Sequence, residues 1–192
     1  MAITTIPSSG TTDGTNLVLL SSVSASDNTE ITFDSSLITD TYKTYFLTMS
    51  EIYLGTDSVN FRMRVSEDNG SNYISANYYK TTIYRASGDT NDGQPASKTG
   101  SKAEIQIAGD ALSTGNASRE TIASNVWLYN LRTSSRSKLF TINSIYEYNS
   151  DAGAWNIGSY ALDDDAIINN IKIYPSSGDI NSGIFSLYGV RT

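Results

Sequence analysis

The 192-residue chain contains no cysteine and no histidine. Without Cys it can form neither a disulfide framework nor a thiolate metal site. Without His it lacks the commonest general base and the commonest transition-metal ligand, and a Ser-His-Asp triad cannot be assembled. Charge is sparse as well. Only 17% of residues are charged, 13 basic against 20 acidic, for a formal net charge of −7. The basic residues are scattered with no run among them, which argues against a nucleic-acid partner. No stretch approaches the roughly 18 apolar residues of a membrane-spanning helix, so no membrane is expected as a partner. The opening Met1-Ala2-Ile3-Thr4-Thr5-Ile6-Pro7 has neither the basic end nor the apolar run of a secretion signal. The chain is therefore expected to be made and folded in the cytoplasm, or released from it by lysis.

What is present points to strands. The apolar fraction is 39%, and much of the remainder is Ser, Thr, Asn and Gly, a mixture suited to strands joined by polar turns. Thirteen Tyr, five Phe and two Trp supply enough aromatic surface for a core, which excludes a disordered chain. Residues 1–16 are Ser/Thr/Gly-rich and read as an extended amino-terminal arm, followed by a single domain over 17–192. The clearest strand is Val59 to Val65, where Val59, Phe61, Met63 and Val65 alternate with Asn60, Arg62 and Arg64. Further strands are expected at Leu17 to Val23, Glu30 to Phe33, Tyr42 to Tyr53, Tyr73 to Arg85, Ala103 to Ile107, Ile122 to Leu131, Lys138 to Tyr148, Ile167 to Tyr174 and Gly183 to Val190. Ten strands at this spacing predict an all-β, antiparallel two-sheet sandwich. Glu67-Asp68-Asn69-Gly70 reads as a tight hairpin turn, Pro175 to Asp179 as a similar one, and Ala86 to Ser101 as a long exposed loop. Ser118 to Asn125 is compatible with a helical turn or a strand.

Candidate sites are few. Asp163-Asp164-Asp165 is the densest acidic cluster, but neighbours on an extended chain point to opposite sides, so a solvated turn explains it better than a Ca²⁺ site. Glu104 and Glu147 are the only acids inside strong β segments, and nothing pairs them as catalytic carboxylates; neither a catalytic residue nor a cofactor is predicted. The serines lie in no Gly-x-Ser-x-Gly elbow. Tyr73, Tyr78, Tyr79 and Tyr84 crowd one segment beside Asn72 and Asn77, a composition used by glycan-binding and protein-binding surfaces, although core filling accounts for some of them. Arg62 and Arg64 belong to the outward side of the best strand. They join these tyrosines as the candidate partner surface. The sequons Asn69-Gly70-Ser71 and Asn116-Ala117-Ser118 carry little weight without a secretion signal.

Two blocks carry a resemblance. Phe61-Arg62-Met63-Arg64-Val65-Ser66-Glu67-Asp68-Asn69-Gly70-Ser71-Asn72-Tyr73 and the ending Ser182-Gly183-Ile184-Phe185-Ser186-Leu187-Tyr188-Gly189-Val190 resemble small virion structural proteins of tailed bacteriophages of the marine and cyanophage type. The resemblance implies a jelly-roll-like sandwich, a virion location after assembly in the host cytoplasm, and symmetric self-association, as a homotrimer for instance. It implies no active-site residue. Within a virion, a capsid decoration or cement protein bound to the major capsid protein is favoured over a tail-fibre or receptor-binding protein recognising a host surface glycan. The short chain with an arm and without a stalk favours the shell. A glycan-active enzyme on a β-sandwich is a third and more distant reading. Under the decoration reading the arm is the attachment device, with Ile3, Ile6 and Pro7 as its apolar anchors. A subunit at −7 is then expected to associate in a salt-sensitive manner, with Arg62, Arg64, Arg132, Arg136 or Lys138 set against carboxylates of neighbours.

Overall fold

The computed structural model describes residues 16–87, 97–109, 112–148 and 152–191, and over these the chain is built of strands with no helix. Twelve strands follow in order: β1 (Leu17–Asn28), β2 (Ile31–Phe33), β3 (Thr44–Leu54), β4 (Phe61–Ser66), β5 (Tyr78–Ala86), β6 (Ser97–Lys102), β7 (Ile105–Ala108), β8 (Ile122–Tyr129), β9 (Lys138–Tyr148), β10 (Ala152–Leu162), β11 (Asn170–Pro175) and β12 (Ile180–Val190). They form two antiparallel sheets, a large one in the order β1-β12-β3-β8-β9-β10-β5-β6 and a small one in the order β2-β11-β4-β7. The fold is thus the all-β sandwich that the alternation predicts.

The pairing is nested. Near the outside of the chain β1 pairs with β12 and β2 with β11; further in, β3 pairs with β8 and β4 with β7. Lateral pairs β12 with β3 and β11 with β4 join these ladders into the two sheets. The hairpins β5–β6 and β9–β10 are additions to that scheme. They zip together through β10 and β5, in unbroken register from Ala154–Ala86 to Leu162–Tyr78, and widen the large sheet from four strands to eight.

The core lies between the sheets. Alternation places Phe61, Met63 and Val65 of β4 fully inside and leaves Arg62 and Arg64 on the outer side. Phe33, Phe61, Phe140 and Phe185 are each fully buried, and burial of a side chain of this size stabilises by about 1.5–3 kcal/mol. Tyr45 and Tyr78, fully buried, keep their hydroxyls paired. Tyr45 donates to the Thr39 carbonyl at 2.6 Å and accepts from the Thr39 amide at 2.8 Å; Tyr78 accepts from the Val65 amide at 3.2 Å. β7 is the edge of the small sheet, and large-sheet side chains, instead of a fifth strand, satisfy its backbone. Tyr160 Oη accepts from the Gln106 amide at 3.0 Å, while Ser144 Oγ and Asn156 Nδ2 both donate to the Ile107 carbonyl, at 2.7 and 3.0 Å.

Several expectations change. Among the described residues there are twelve strands, not ten, because β6 and β10 carry little apolar alternation. β6 occupies the end of the stretch expected to be a loop over Ala86 to Ser101, of which 88–96 lie outside the described residues. The turn at Glu67 to Gly70 does have positive φ at Asn69 (58°) and Gly70 (91°), yet it closes no hairpin: β4 pairs with β11 and β7, and the chain leaves for the large sheet. Pro175 ends β11 in the small sheet and β12 lies in the large one, so 176–179 is a crossing between sheets. From Ile122 the ambiguous segment is strand β8. The arm over 1–16, with Ile3, Ile6 and Pro7, falls outside the described residues except for Asn16.

Candidate interaction face

The sequence-predicted surface is not one surface. Tyr78 is fully buried in the core and presents nothing to a partner, whereas Tyr79, its neighbour on β5, is 45% exposed on the outer side of the large sheet. Tyr84 is half-buried on the same side of β5 as Tyr78. Tyr73 lies in the connection between β4 and β5 and packs onto the small sheet, where its ring lies 4.1 Å beneath Lys172 Nζ and its hydroxyl is 3.1 Å from Asn170 Oδ1. Alternation along β5, which sequence crowding ignores, separates Tyr79 from Tyr78 and Tyr84.

Arg62 and Arg64 do lie on the outer side of the small sheet, but their charge is engaged within the chain. Both bind Glu104, at 2.9 and 3.2 Å, and Glu104 also accepts from the Tyr174 hydroxyl at 2.8 Å. Burial, reinforced by the adjacent Glu104 carboxylate, pushes the Tyr174 phenol well above its ordinary value. Lys172 pairs with Glu30 at 3.2 Å and covers the Tyr174 ring at 5.1 Å. This side is a self-compensated ladder of cations, carboxylates and phenol rings. Elsewhere Arg132 pairs with Asp40 at 2.9 Å, and Lys138 is fully buried, donating to the carbonyls of Thr133 (2.9 Å), Arg136 (2.7 Å) and Asp164 (3.3 Å). Four of the five cations assigned to neighbouring subunits are therefore committed internally. In the acidic cluster, Asp164 Oδ1 accepts from the Ala166 amide, and no group of three or more Asp or Glu among the described residues is arranged to hold a metal.

The outer side of the large sheet is the opposite in kind. Its first seven strands contain six charged residues: Lys80 and Lys138 turn inward, and Asp27, Glu51, Arg85 and Glu147 all stand at one end. The rest of the face carries only Ser, Thr, Asn, Gly, Ala and large apolar side chains. Nine large apolar side chains are exposed among the described residues, and eight of them lie here: Leu17, Leu19, Tyr79, Ile83, Leu139, Ile145, Ile157 and Ile184. Ile145 is 65% exposed and Ile157 49%.

Two apolar patches stand out. Cross-strand register aligns Tyr188, Phe46 and Trp127 in one row, with Tyr129 above it. The Phe46 and Trp127 rings are 4.4 Å apart, Phe46 and Tyr188 6.2 Å, and Trp127 and Tyr129 stack at 6.4 Å with planes 13° apart. Ile83, Ile145, Trp155 and Ile157 form the second patch on β5, β9 and β10. A trough of about 320 Å³ between them is lined by Phe46, Trp127 and Ile157 with Asn125, Asn143, Thr141 and Ser159, and it continues into a depression of about 300 Å³ bounded by Ile145, Trp155 and Ile157.

None of these residues entered the predicted site, yet a signal for them exists in the sequence. Tyr45-Phe46-Leu47 and Val126-Trp127-Leu128-Tyr129 are apolar at every position, the pattern of strands covered on both sides. The small sheet covers only one side.

No family model, curated protein or solved structure matches the chain. The class that the structure defines is an antiparallel β-sandwich with one charged side and one broad side on which apolar and small polar side chains predominate.

Proposed function

We propose that this protein is a non-enzymatic structural subunit that works by docking through the outer side of its large sheet, and that it serves as a virion protein of a tailed bacteriophage, a capsid decoration or cement protein in particular. The observation that carries the docking role is the gathering of eight of the nine large apolar side chains exposed among the described residues on a face whose first seven strands keep their outward charges to one end. Exposed apolar side chains gathered on one face, instead of scattered singly, mark an interaction surface. The virion assignment rests on the two blocks of resemblance. The nested pairing of β1 with β12, β2 with β11, β3 with β8 and β4 with β7 resembles the winding of a jelly roll and so supports the fold that the resemblance implies. The two faces suit a subunit layered on a shell, with the uncharged side buried in contacts and the charged ladder turned to solvent.

A tail-fibre or receptor-binding role has one observation in its favour: the trough combines aromatic rings with the amides of Asn125 and Asn143, as glycan-binding surfaces do. The deciding experiment is to label the chain in purified particles and count it under imposed symmetry. Hundreds of copies over the head are expected; a few copies at the tail would overturn the decoration role in favour of receptor binding.

A further inference from the structure

Resting on the docking-face reading, we infer that the occupant of the uncharged face is a second copy of this chain, packed sheet against sheet with the strands of the two copies crossing near 90°. Three observations converge on that occupant.

The first is charge. Two copies each at −7 repel, and they can meet closely only where neither presents a carboxylate. The first seven strands of the large sheet's outer side are such a place away from the end that carries Asp27, Glu51, Arg85 and Glu147; the aromatic patch lies clear of that end, and the aliphatic patch borders it, with Arg85 in register with Trp155. A basic partner, which the net charge would otherwise attract, finds no counter-charges there to recognise.

The second is area. Six strand spacings of ~4.8 Å by the ~24 Å of strand length clear of the charged end give on the order of 700 Å² per copy, close to the ~800 Å² per partner of a stable specific interface.

The third is the layout of the patches. From the register, the centre of the aromatic patch (Phe46, Trp127, Tyr129, Tyr188) is offset from that of the aliphatic patch by ~13 Å across the strands and ~12 Å along them. The offset is diagonal. A two-fold axis lying in the interface and bisecting it sets the aromatic patch of each copy on the aliphatic patch of the other, Phe46 over Trp155 and Ile157. That operation turns the strands of one copy close to perpendicular to those of the other, the orthogonal class of sheet packing. The polar row of Thr48, Asn125 and Asn143 lies between the patches and comes to the axis in both copies.

The test is the mass of the full chain in solution by sedimentation or light scattering, across concentration and salt. A dimer that persists or tightens as salt rises is expected, in contrast to the salt-sensitive association that the net charge alone predicts. Phe46→Lys and Ile157→Glu should each give monomers with thermal unfolding and circular dichroism close to the parent's. Mixing these two variants should restore a dimer, because one of its two patch contacts is then intact and the other sets Lys against Glu. A wild-type monomer at every concentration, or mixed variants that stay monomeric, would overturn the pairing. So would a monomer that binds a host-surface glycan through Trp127. Particle labelling tests the virion role independently, so a solution monomer found in hundreds of copies on heads would overturn the pairing alone.

Discussion

Lys138 shows how one residue changes meaning between sequence and structure. At the head of a strand it reads as a surface cation, yet its ammonium is enclosed by three backbone carbonyls that tie 133–136 to the chain near Asp164. Burial lowers its affinity for the proton, opposed by Asp164 and Asp165. Lys138→Met should keep the aliphatic stem but leave those carbonyls without their donor, costing about 1–3 kcal/mol in a denaturant melt. Alkaline titration probes the same environment through the phenols. Burial pushes Tyr146 from its ordinary 10.0 up to about 12, and Tyr78 and Tyr160 higher still. The neutral phenol is the form favoured by the fold, so the unfolded chain loses these protons first. Stability is therefore full below pH 10 and is lost progressively as pH climbs through the folded values. Tyrosinate absorbance from these residues should appear together with loss of β circular dichroism, not before it.

At the scale of strands, the small sheet's outer ladder turns on Glu104, which holds Arg62 and Arg64 apart from each other's charge. Glu104→Gln should cost about 1 kcal/mol, with the difference shrinking in high salt, as expected for partly exposed pairs. Legibility divides along the same lines. β4 was readable because one side is core and the other carries arginines, so period-2 alternation is clean. β10 was not, since Ala154, Asn156 and Gly158 point inward while Trp155 and Ile157 point outward, reversing the usual sense. A strand whose outer side is itself a contact surface loses the polarity contrast by which strands are recognised. β6, Ser97–Lys102, has no large apolar residue at all and is a strand only because β5 offers it an edge. The same reversal masks the candidate interaction face. The tyrosine-rich segment is conspicuous by composition, while the aromatics of that face are distributed over β3, β8 and β12 and meet only through sheet register.

For the whole molecule, the proposed virion role and the contrast between its sides together predict how it would behave on a particle. Solvent-accessible labelling of assembled heads should modify Lys172 on the ladder side readily, relative to the free chain, while tryptophan fluorescence from Trp127 and Trp155 should resist added quencher. Equal quenching in free and assembled protein would overturn burial of the large-sheet face. The two hairpins that widen the sheet matter here, since β5, β9 and β10 carry the aliphatic patch. A four-stranded version of the same winding would keep its core but have too little flat area for a stable partner.

The position of β12 between β1 and β3 has a consequence for biosynthesis. Both neighbours leave the ribosome well over a hundred residues before it, and each needs β12 to complete its ladder on one side. The nascent large sheet thus waits with an open slot until Ile180–Val190 emerges. Closing that slot links residues at opposite ends of the domain, a high-contact-order step that should make folding slow. During that interval the unpaired strands flanking the slot are where a chaperone would be expected to bind.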